Sequence, residues 1–412
     1  VVIVYRYLDL STRDPSRFIE GAISFIKKYV GAEDKVESAV SGGVDSTVTT
    51  KLFHLAGVKI YADHIDTGFM RRFKGREEPS IVAKTFEDME NFSLVDEKEF
   101  FYSRVFGIED AEEKRRAFRA AYSEVFNRLL KKHGCNVITQ GTIYPDIVET
   151  NGGIKSQHNV QIEFEVEKIV EPIAALYKHE VRMVAKALRL KEDVYLRMPF
   201  PGPGLSIRVP GAITRDRLEV EKAANDIVEQ RIASYMEKRY GKPVLFDETG
   251  EQIPFQAFAA TFKKDTMEVP LNISIKAEKI IKKHFADKWE MKLLSTKVTG
   301  VRNGKRVYAH PLCLDLDLDL AEVDFKAFKA IGSEIPLQTG LSRVLLKLVS
   351  SKGEGYPIAI RVIKSRDAMS ASVMDIDLSY LKKTGEEISR IAGVGDVYYD
   401  ISDKPPATIE YE

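Results

Sequence analysis

Short apolar runs alternate with amphipathic stretches through the first half of the chain. After Asp14-Pro15, the residues Phe18, Ala22, Ile23, Phe25 and Ile26 recur at helical spacing, so a helix is expected up to Val30 with Gly31 as its stop. Residues 36–40 have strand composition and run into Ser41-Gly42-Gly43. A helix is expected from Asp45, with Val48, Leu52 and Leu55 on one face and Gly57 as its end. The β-branched run at 47–50 opposes that helix on propensity alone. Further strands are expected at 1–4, 59–65, 92–95, 136–139 and 169–170. A long charged helix is expected over 111–132. Another over 178–189 carries Val181, Val184, Ala185 and Leu188 on one face. Such alternation predicts an α/β fold, a doubly wound parallel sheet covered on both faces.

At 198–204 the sequence Met-Pro-Phe-Pro-Gly-Pro-Gly interrupts both periods, because neither a helix nor a central strand tolerates it. This places a domain boundary between 1–198 and 199–412. Beyond it a helix is expected over 215–239 and strands at 298–301, 308–320 and 358–363. Residues 341–349 read as helix-like. Asp315, Asp317 and Asp319 alternate with leucines, which places them on one face of a half-exposed strand rather than around a metal.

Composition narrows the picture. The 412 residues suffice for two or three domains with a real core. Lys+Arg and Asp+Glu are both 62 and cancel, which argues against a protein that coats nucleic acid. The two cysteines, Cys135 and Cys313, exclude a disulfide scaffold and a four-cysteine zinc site, and point to a reducing, cytoplasmic setting. No apolar run is long enough for a membrane span. The opening stretch is too short for a signal-peptide core and lacks a basic flank.

The chemistry concentrates in Ser41-Gly42-Gly43-Val44-Asp45-Ser46, between an expected strand and an expected helix. Two glycines let backbone wrap an anion, and the free N–H groups and positive end of the helix favour phosphate. Ser41, Ser46 and Thr47 add hydroxyls. Asp45 repels phosphate directly, so its use would be through Mg²⁺. The stretch is neither a Walker A loop nor GxGxxG. A bare Ser-Gly-Gly turn is usually structural. The whole hexapeptide in this setting resembles the PP-loop of the N-type ATP pyrophosphatases, which cleave ATP to AMP and pyrophosphate while adenylating an oxygen. The loop alone does not choose among GMP, NAD and argininosuccinate synthetases and tRNA-modifying enzymes.

Other segments choose. They are Ile65-Asp66-Thr67-Gly68-Phe69-Met70-Arg71, Gln140-Gly141-Thr142-Ile143-Tyr144-Pro145-Asp146 with Glu149 close behind, and Ile154-Lys155-Ser156-Gln157-His158-Asn159-Val160. Pro199-Phe200-Pro201-Gly202-Pro203-Gly204-Leu205 and the tail from Lys404 to Glu412 complete the set. Together they resemble the GMP synthetase family over most of 14–230 and again at 256–258, about 298–308 and 356–412. The resemblance implies an N-terminal ATP pyrophosphatase domain followed by an α+β dimerisation domain. ATP would adenylate the 2-oxygen of xanthosine monophosphate (XMP), and ammonia would displace AMP to give GMP. By resemblance, Ser41, Gly42, Gly43, Val44, Asp45, Ser46 and Thr47 hold ATP with Asp66 and Gly141. Asp45 and Asp146 hold Mg²⁺, and Lys155 acts with Asp45 in catalysis. Arg71, Asp146, Glu149, Lys404, Thr408, Ile409 and Glu410 contact the substrate nucleotide.

The chain also departs from the family. Gln161-Ile162-Glu163-Phe164 replaces the usual Gly-Gly-Leu-Pro, and Asp396 stands where an arginine contacts the nucleotide. Glu37 interrupts a strand expected to be buried. The second domain is nearly double the usual module, with the surplus near 231–254, 264–292 and 310–355. The short stretch before Asp14 is not expected to hold the glutaminase domain of many members. Ammonia is therefore expected free or from a separate glutamine amidotransferase subunit, and the enzyme is expected to be a homodimer through the second domain. Asp396 and the surplus segments leave open a paralogue that adenylates another carbonyl, or a nucleotide-binding paralogue without turnover.

Overall fold

A computed structural model of the chain describes residues 2–4, 14–151, 166–246, 252–286, 288–317, 323–351, 354–365 and 369–412. Two units emerge. The first comprises Val1–Met70, Arg76–Arg104 and Arg116–Gly202; the second comprises Arg71–Gly75, Val105–Arg115 and Pro203–Glu412. Two short segments from the first half of the sequence thus belong to the second unit.

The first unit is built on six strands: β1 (Val2–Val4), β2 (Val36–Ala39), β3 (Ile60–Asp66), β4 (Phe92–Asp96), β5 (Val137–Thr139) and β6 (Lys168–Val170). They form one sheet in the order β1-β6-β5-β2-β3-β4, and every pairing is parallel. Side-chain alternation divides the core between the faces. Val36 and Val137 join Phe18, Ile26, Val48 and Leu52, from helices α1 (Pro15–Tyr29) and α2 (Val44–Leu55), and Val181 and Val184 from a later helix, Lys178–Ala187. Ile138, the next residue of β5, packs instead with Phe126 and Leu130 of the helix Ala111–His133. Both faces are therefore covered, as in a doubly wound α/β sheet.

Local chemistry fixes the ends. Asp14 caps α1 by accepting from Ser16 and Arg17 N–H at 3.1 and 3.2 Å. The β-branched run does not break α2. Thr47 and Thr50 donate to the carbonyls of Gly43 and Ser46, both at 2.8 Å, so their hydroxyls are satisfied inside the helix. Leu55, expected on the apolar face, is exposed. It occupies the last turn, beyond the reach of the sheet. Besides the short turn Glu192–Tyr195, the helices lying wholly or mostly in this unit are, in chain order, α3 (Glu78–Thr85), α4 (Lys98–Val105), α5 (Ala111–His133), α6 (Tyr144–Asn151) and α7 (Lys178–Ala187). Asp146 and Glu149 both lie on helix α6.

The second unit holds a mixed sheet of eight strands. These are β7 (Phe255–Thr261), β8 (Thr266–Met267), β9 (Trp289–Leu294), β12 (Pro311–Leu316), β13 (Arg343–Val349), β14 (Tyr356–Lys364), β15 (Ser372–Val373) and β16 (Val394–Asp400). The main path is β7-β14-β16-β13-β12-β9-β8, with β15 paired to β14. Between β9 and β12 lies a separate hairpin, β10 (Val298–Arg302) and β11 (Lys305–Ala309), whose turn places Asn303 and Gly304 at φ 51° and 70°. Asn-Gly suits such a turn, because both residues tolerate positive φ. The helices are α8 (Arg215–Tyr240), α9 (Leu271–Ile281), α10 (Phe325–Thr339) and α11 (Leu378–Ile388).

Three expectations change here. Residues 341–349 are not helical: β13 runs between β12 and β16 in the middle of the sheet. A short apolar run buried on both faces carries no period, so length and pattern cannot tell strand from helix. The span 308–320 is not one strand; it divides at His310 into the end of β11 and all of β12. Asp315 lies on β12 and pairs with Lys347 at 2.8 Å, Asp317 follows the strand, and Asp319 lies outside the described residues. The surplus at 310–355 contains β12, α10 and β13, so it contributes two adjacent strands to the interior of the sheet. Among the described residues, no helix is long and apolar enough to cross a membrane.

Candidate active site

In the first unit the order β5-β2-β3 places β2 beside a strand that arrives much later in the chain. Crossovers from β2 and β5 then leave in opposite directions. Ligands of open α/β sheets bind at such a switch point, beyond the carboxyl ends of the strands. The loop 41–47 leaves β2 there, and Gly141 to Asp146 leave β5.

The loop is shaped by its neighbours. Gly42 has φ +83°, and a Cβ would lie 2.7 Å from Val82 Cγ2 on α3, so only glycine fits. Gly43 begins α2 with no side-chain cap, while Ser41 and Gly43 are exposed, so the first turn faces outward. Ser41 and Ser46 hydroxyls meet at 3.0 Å, and Ser46 also donates to Gly43 O at 3.1 Å. These contacts fold the loop around the helix start, the geometry that attracts anions. Behind it, buried His64 donates from Nδ1 to Val40 O at 2.6 Å, which fixes the residue before the loop. Burial lowers the pKa of that imidazole and favours its neutral form.

Gly141 presses against the same turn. A Cβ there would sit 2.7 Å from Ser46 N and 2.9 Å from the Asp45 carbonyl carbon. Gly141→Ala is therefore expected to push the turn out of place. Weaker ATP binding and a stability loss of about 1–3 kcal/mol should follow. Nucleotide titration with thermal melts checks this, and unchanged affinity would contradict the contact's importance.

Asp45 has two different oxygens. Oδ2 pairs with Lys178 at the start of α7, whereas Oδ1 is buried without a hydrogen-bond partner among the described residues. Asp146 lies in the first turn of α6 and accepts from Ile143 N–H at 3.0 Å. Nearby, Thr142 donates to Glu171 at 2.5 Å. Burial raises the Glu171 pKa, and the charge of Asp146 adds to that against the Thr142 bond. Hard divalent cations take oxygen ligands, and the unpartnered Asp45 Oδ1 is an oxygen of that kind. Asp66 ends β3 and accepts from Gly68 N–H at 2.9 Å. Glu149 belongs to α6 by its backbone, and Lys155 lies outside the described residues. Sequence reasoning missed Lys178, His64 and Glu171. Lys178 did carry a signal: a cation in the first turn opposes the helix dipole and so asks for a partner.

The other expected contacts belong to the second unit. Arg71 is buried, and its Nη1 meets both Glu229 oxygens at 2.9 and 3.0 Å. Lys404 exchanges backbone hydrogen bonds with Ala371 at 2.8 and 3.0 Å. The tail beyond it is anchored by a buried charge cluster. Arg343 and Arg361 both pair with Asp400, at 2.9 and 2.8 Å, and all three are fully buried. Arg343 also donates to the Thr408 hydroxyl at 2.7 Å, and Arg361 to the carbonyls of Thr408 and Ile409 at 2.6 and 2.9 Å. The Glu410 carboxylate takes Arg208 at 3.1 and 3.0 Å, and Glu412 takes Lys114. Thr408 and Glu410 thus have internal partners in this structure.

Asp396 is also compensated. Its carboxylate accepts from Ser351 N–H at 2.9 Å and lies 3.3 and 3.5 Å from Lys292 and Lys347. Both lysines come from surplus segments, so the anion that replaces the family's arginine arrives with two cations of its own.

Known proteins resemble the chain as follows. Residues 346–411 match the family described as the GMP synthase C terminal domain. Across 410 residues the chain is 36% identical to a subunit of the glutamine-hydrolyzing GMP synthase of Saccharolobus islandicus, covering 97% of this chain and 100% of that protein. The corresponding subunit from Pyrococcus horikoshii is 34% identical over 405 residues, with 97% and 100% covered. Among solved structures, NMN synthetase from Francisella tularensis aligns with 48% of this chain and 78% of its own at 14% identity and a TM-score of 0.36.

Proposed function

From the premise that this chain belongs to the family of ATP pyrophosphatase subunits of glutamine-hydrolyzing GMP synthase, we propose how its two units divide the ATP-dependent amination of XMP. The observation that carries the reading is the loop at the switch point. It offers an uncapped helix start, hydroxyls and an unpartnered carboxylate oxygen in one turn.

ATP binds with its phosphates over Ser41 to Thr47, where backbone N–H groups and the helix dipole offset their charge. Asp45 and Asp146 would hold Mg²⁺, which would supply further neutralisation of that charge. Gly141 leaves room for the turn, and Lys178 restrains Asp45. The 2-oxygen of XMP attacks the α-phosphorus and pyrophosphate leaves. Ammonia then attacks the 2-carbon and expels AMP, giving GMP. Lys155 supports charge on the phosphates during transfer, where fixed cations in a dry site count most. Arg71 and Lys404 to Glu410 provide the nucleotide contacts of the second unit, with Glu410 exchanging Arg208 for the purine edge.

The relatives are named as one subunit of a glutamine-hydrolysing enzyme. We therefore assign ammonia production to a separate glutaminase partner. Purified chain given ATP, Mg²⁺ and XMP should form GMP and pyrophosphate in equal amounts with ammonium, and no GMP with glutamine. Glutamine-dependent synthesis by the chain alone would overturn the division of labour.

A further inference from the structure

β2 sends alternate residues to opposite faces of the first sheet. Ser38 points toward α2, where its hydroxyl meets Thr50 at 2.8 Å. Glu37 must then point to the α5 face, where it is fully buried. There it meets His133, the last residue of α5, and Cys135, which leads into β5. Asp63 of β3, also fully buried, completes the group.

The contacts are oriented. His133 Nδ1 faces Glu37 Oε2 at 3.5 Å, and its Nε2 faces Asp63 Oδ2 at 3.7 Å. Cys135 Sγ lies 3.6 Å from Glu37 Oε2. One ligand atom each from Glu37, His133 and Cys135 lie within 4.8 Å of one another. Several atoms lack partners: Glu37 Oε1, both Asp63 oxygens and His133 Nδ1 have no hydrogen bond among the described residues. No lysine or arginine makes an ion pair with either carboxylate among those residues. Buried polar atoms without partners are costly, and two adjacent buried carboxylates more so.

We propose that Glu37, His133 and Cys135 bind a zinc-class divalent cation, with Asp63 orienting the histidine. The donor set is one nitrogen, one sulfur and one carboxylate oxygen, which suits zinc and not magnesium or calcium. Nδ1 takes the metal and Nε2–H is given to Asp63. This is the carboxylate–histidine–metal arrangement that fixes ring orientation at metal sites. Binding the cation releases the Cys135 thiol proton to solvent and supplies the counter-charge that the two buried carboxylates lack. It ties the end of α5 to the strand that carries the ATP loop on its other end.

The test uses the full chain after chelator treatment, without nucleotide. Titration with zinc alone should show one ion per chain and a raised melting temperature, as binding to the folded form requires. Cobalt should produce the near-ultraviolet thiolate-to-cobalt absorption. Cys135→Ser should abolish that absorption, Cys313→Ser should leave it, and Asp63→Asn should keep it while weakening zinc about 10–100-fold. Wild-type chain without the absorption, or absorption that survives Cys135→Ser, would overturn the proposal. The wild-type arm decides even where a variant fails to fold.

Discussion

Asp45→Ala is expected to lower kcat by on the order of 10²–10³-fold, the loss seen when one transition-state charge stabiliser is removed. Stability should change little. An acidic residue in the first turn of a helix contributes only about 0.3–1 kcal/mol, and the Lys178 partner of Asp45 is part exposed. The large effect comes from where the charge sits. Asp45 stands in the turn proposed to cradle phosphate, where an anion would harm ATP binding unless a cation lay between them. Its Oδ1 is the unpartnered oxygen that such a cation would take. Asp45→Asn keeps the volume and loses the charge, and should be impaired nearly as much, with a raised Mg²⁺ requirement. Steady-state kinetics across Mg²⁺ concentrations check this. Turnover within about threefold of wild type would remove Asp45 from the catalytic account.

Asp400→Asn should cost about 3–5 kcal/mol of folding stability, because removing one member of a buried ion cluster strands the others. Arg343, Arg361 and Asp400 are all fully buried, and Tyr411 and Ser402 also donate to the carboxylate, at 2.9 and 3.0 Å. Burial alone would raise the Asp400 pKa, but Arg361 and Arg343 together hold it below the usual carboxylate range. A carboxyl with a depressed folded-state pKa stabilises above its unfolded value, about 3.9. That contribution is lost as pH falls through the folded value. The gap between wild type and Asp400→Asn should therefore narrow in acid. Denaturant unfolding at neutral and acidic pH measures both, and a neutral-pH loss below about 1 kcal/mol would mean the arginines find other compensation. Because Arg343 and Arg361 also hold the backbone and hydroxyl of Thr408 and the carbonyl of Ile409, the variant should loosen the tail.

What the sequence revealed followed the range of the interactions involved. Helix α1 was legible, since its apolar residues recur at helical spacing and Asp14-Pro15 marks its start. The strand–turn–helix shape of the 41–47 loop was legible because its glycines, hydroxyls and Asp45 are contiguous. β13 was misread because burial on both faces erases the pattern that separates strand from helix. His64, Lys178 and Glu171 were missed because their partners lie on other elements and only folding brings them together. The internal partners of the tail were likewise out of reach of local pattern. Thr408 and Glu410 have side chains suited to a nucleotide, yet the fold supplies Arg343 and Arg208 as internal partners. Asp396 looked like a charge defect until Lys292 and Lys347 appeared beside it.

The central claim is that the first unit activates XMP by transferring AMP to its 2-oxygen. XMP carrying heavy oxygen at that position, incubated with the chain, ATP, Mg²⁺ and ammonium, tests it by mass spectrometry of the products. The account predicts that GMP is formed and that the heavy oxygen is recovered in the phosphate of AMP. GMP accompanied by unlabelled AMP, or by ADP with labelled phosphate, would contradict it.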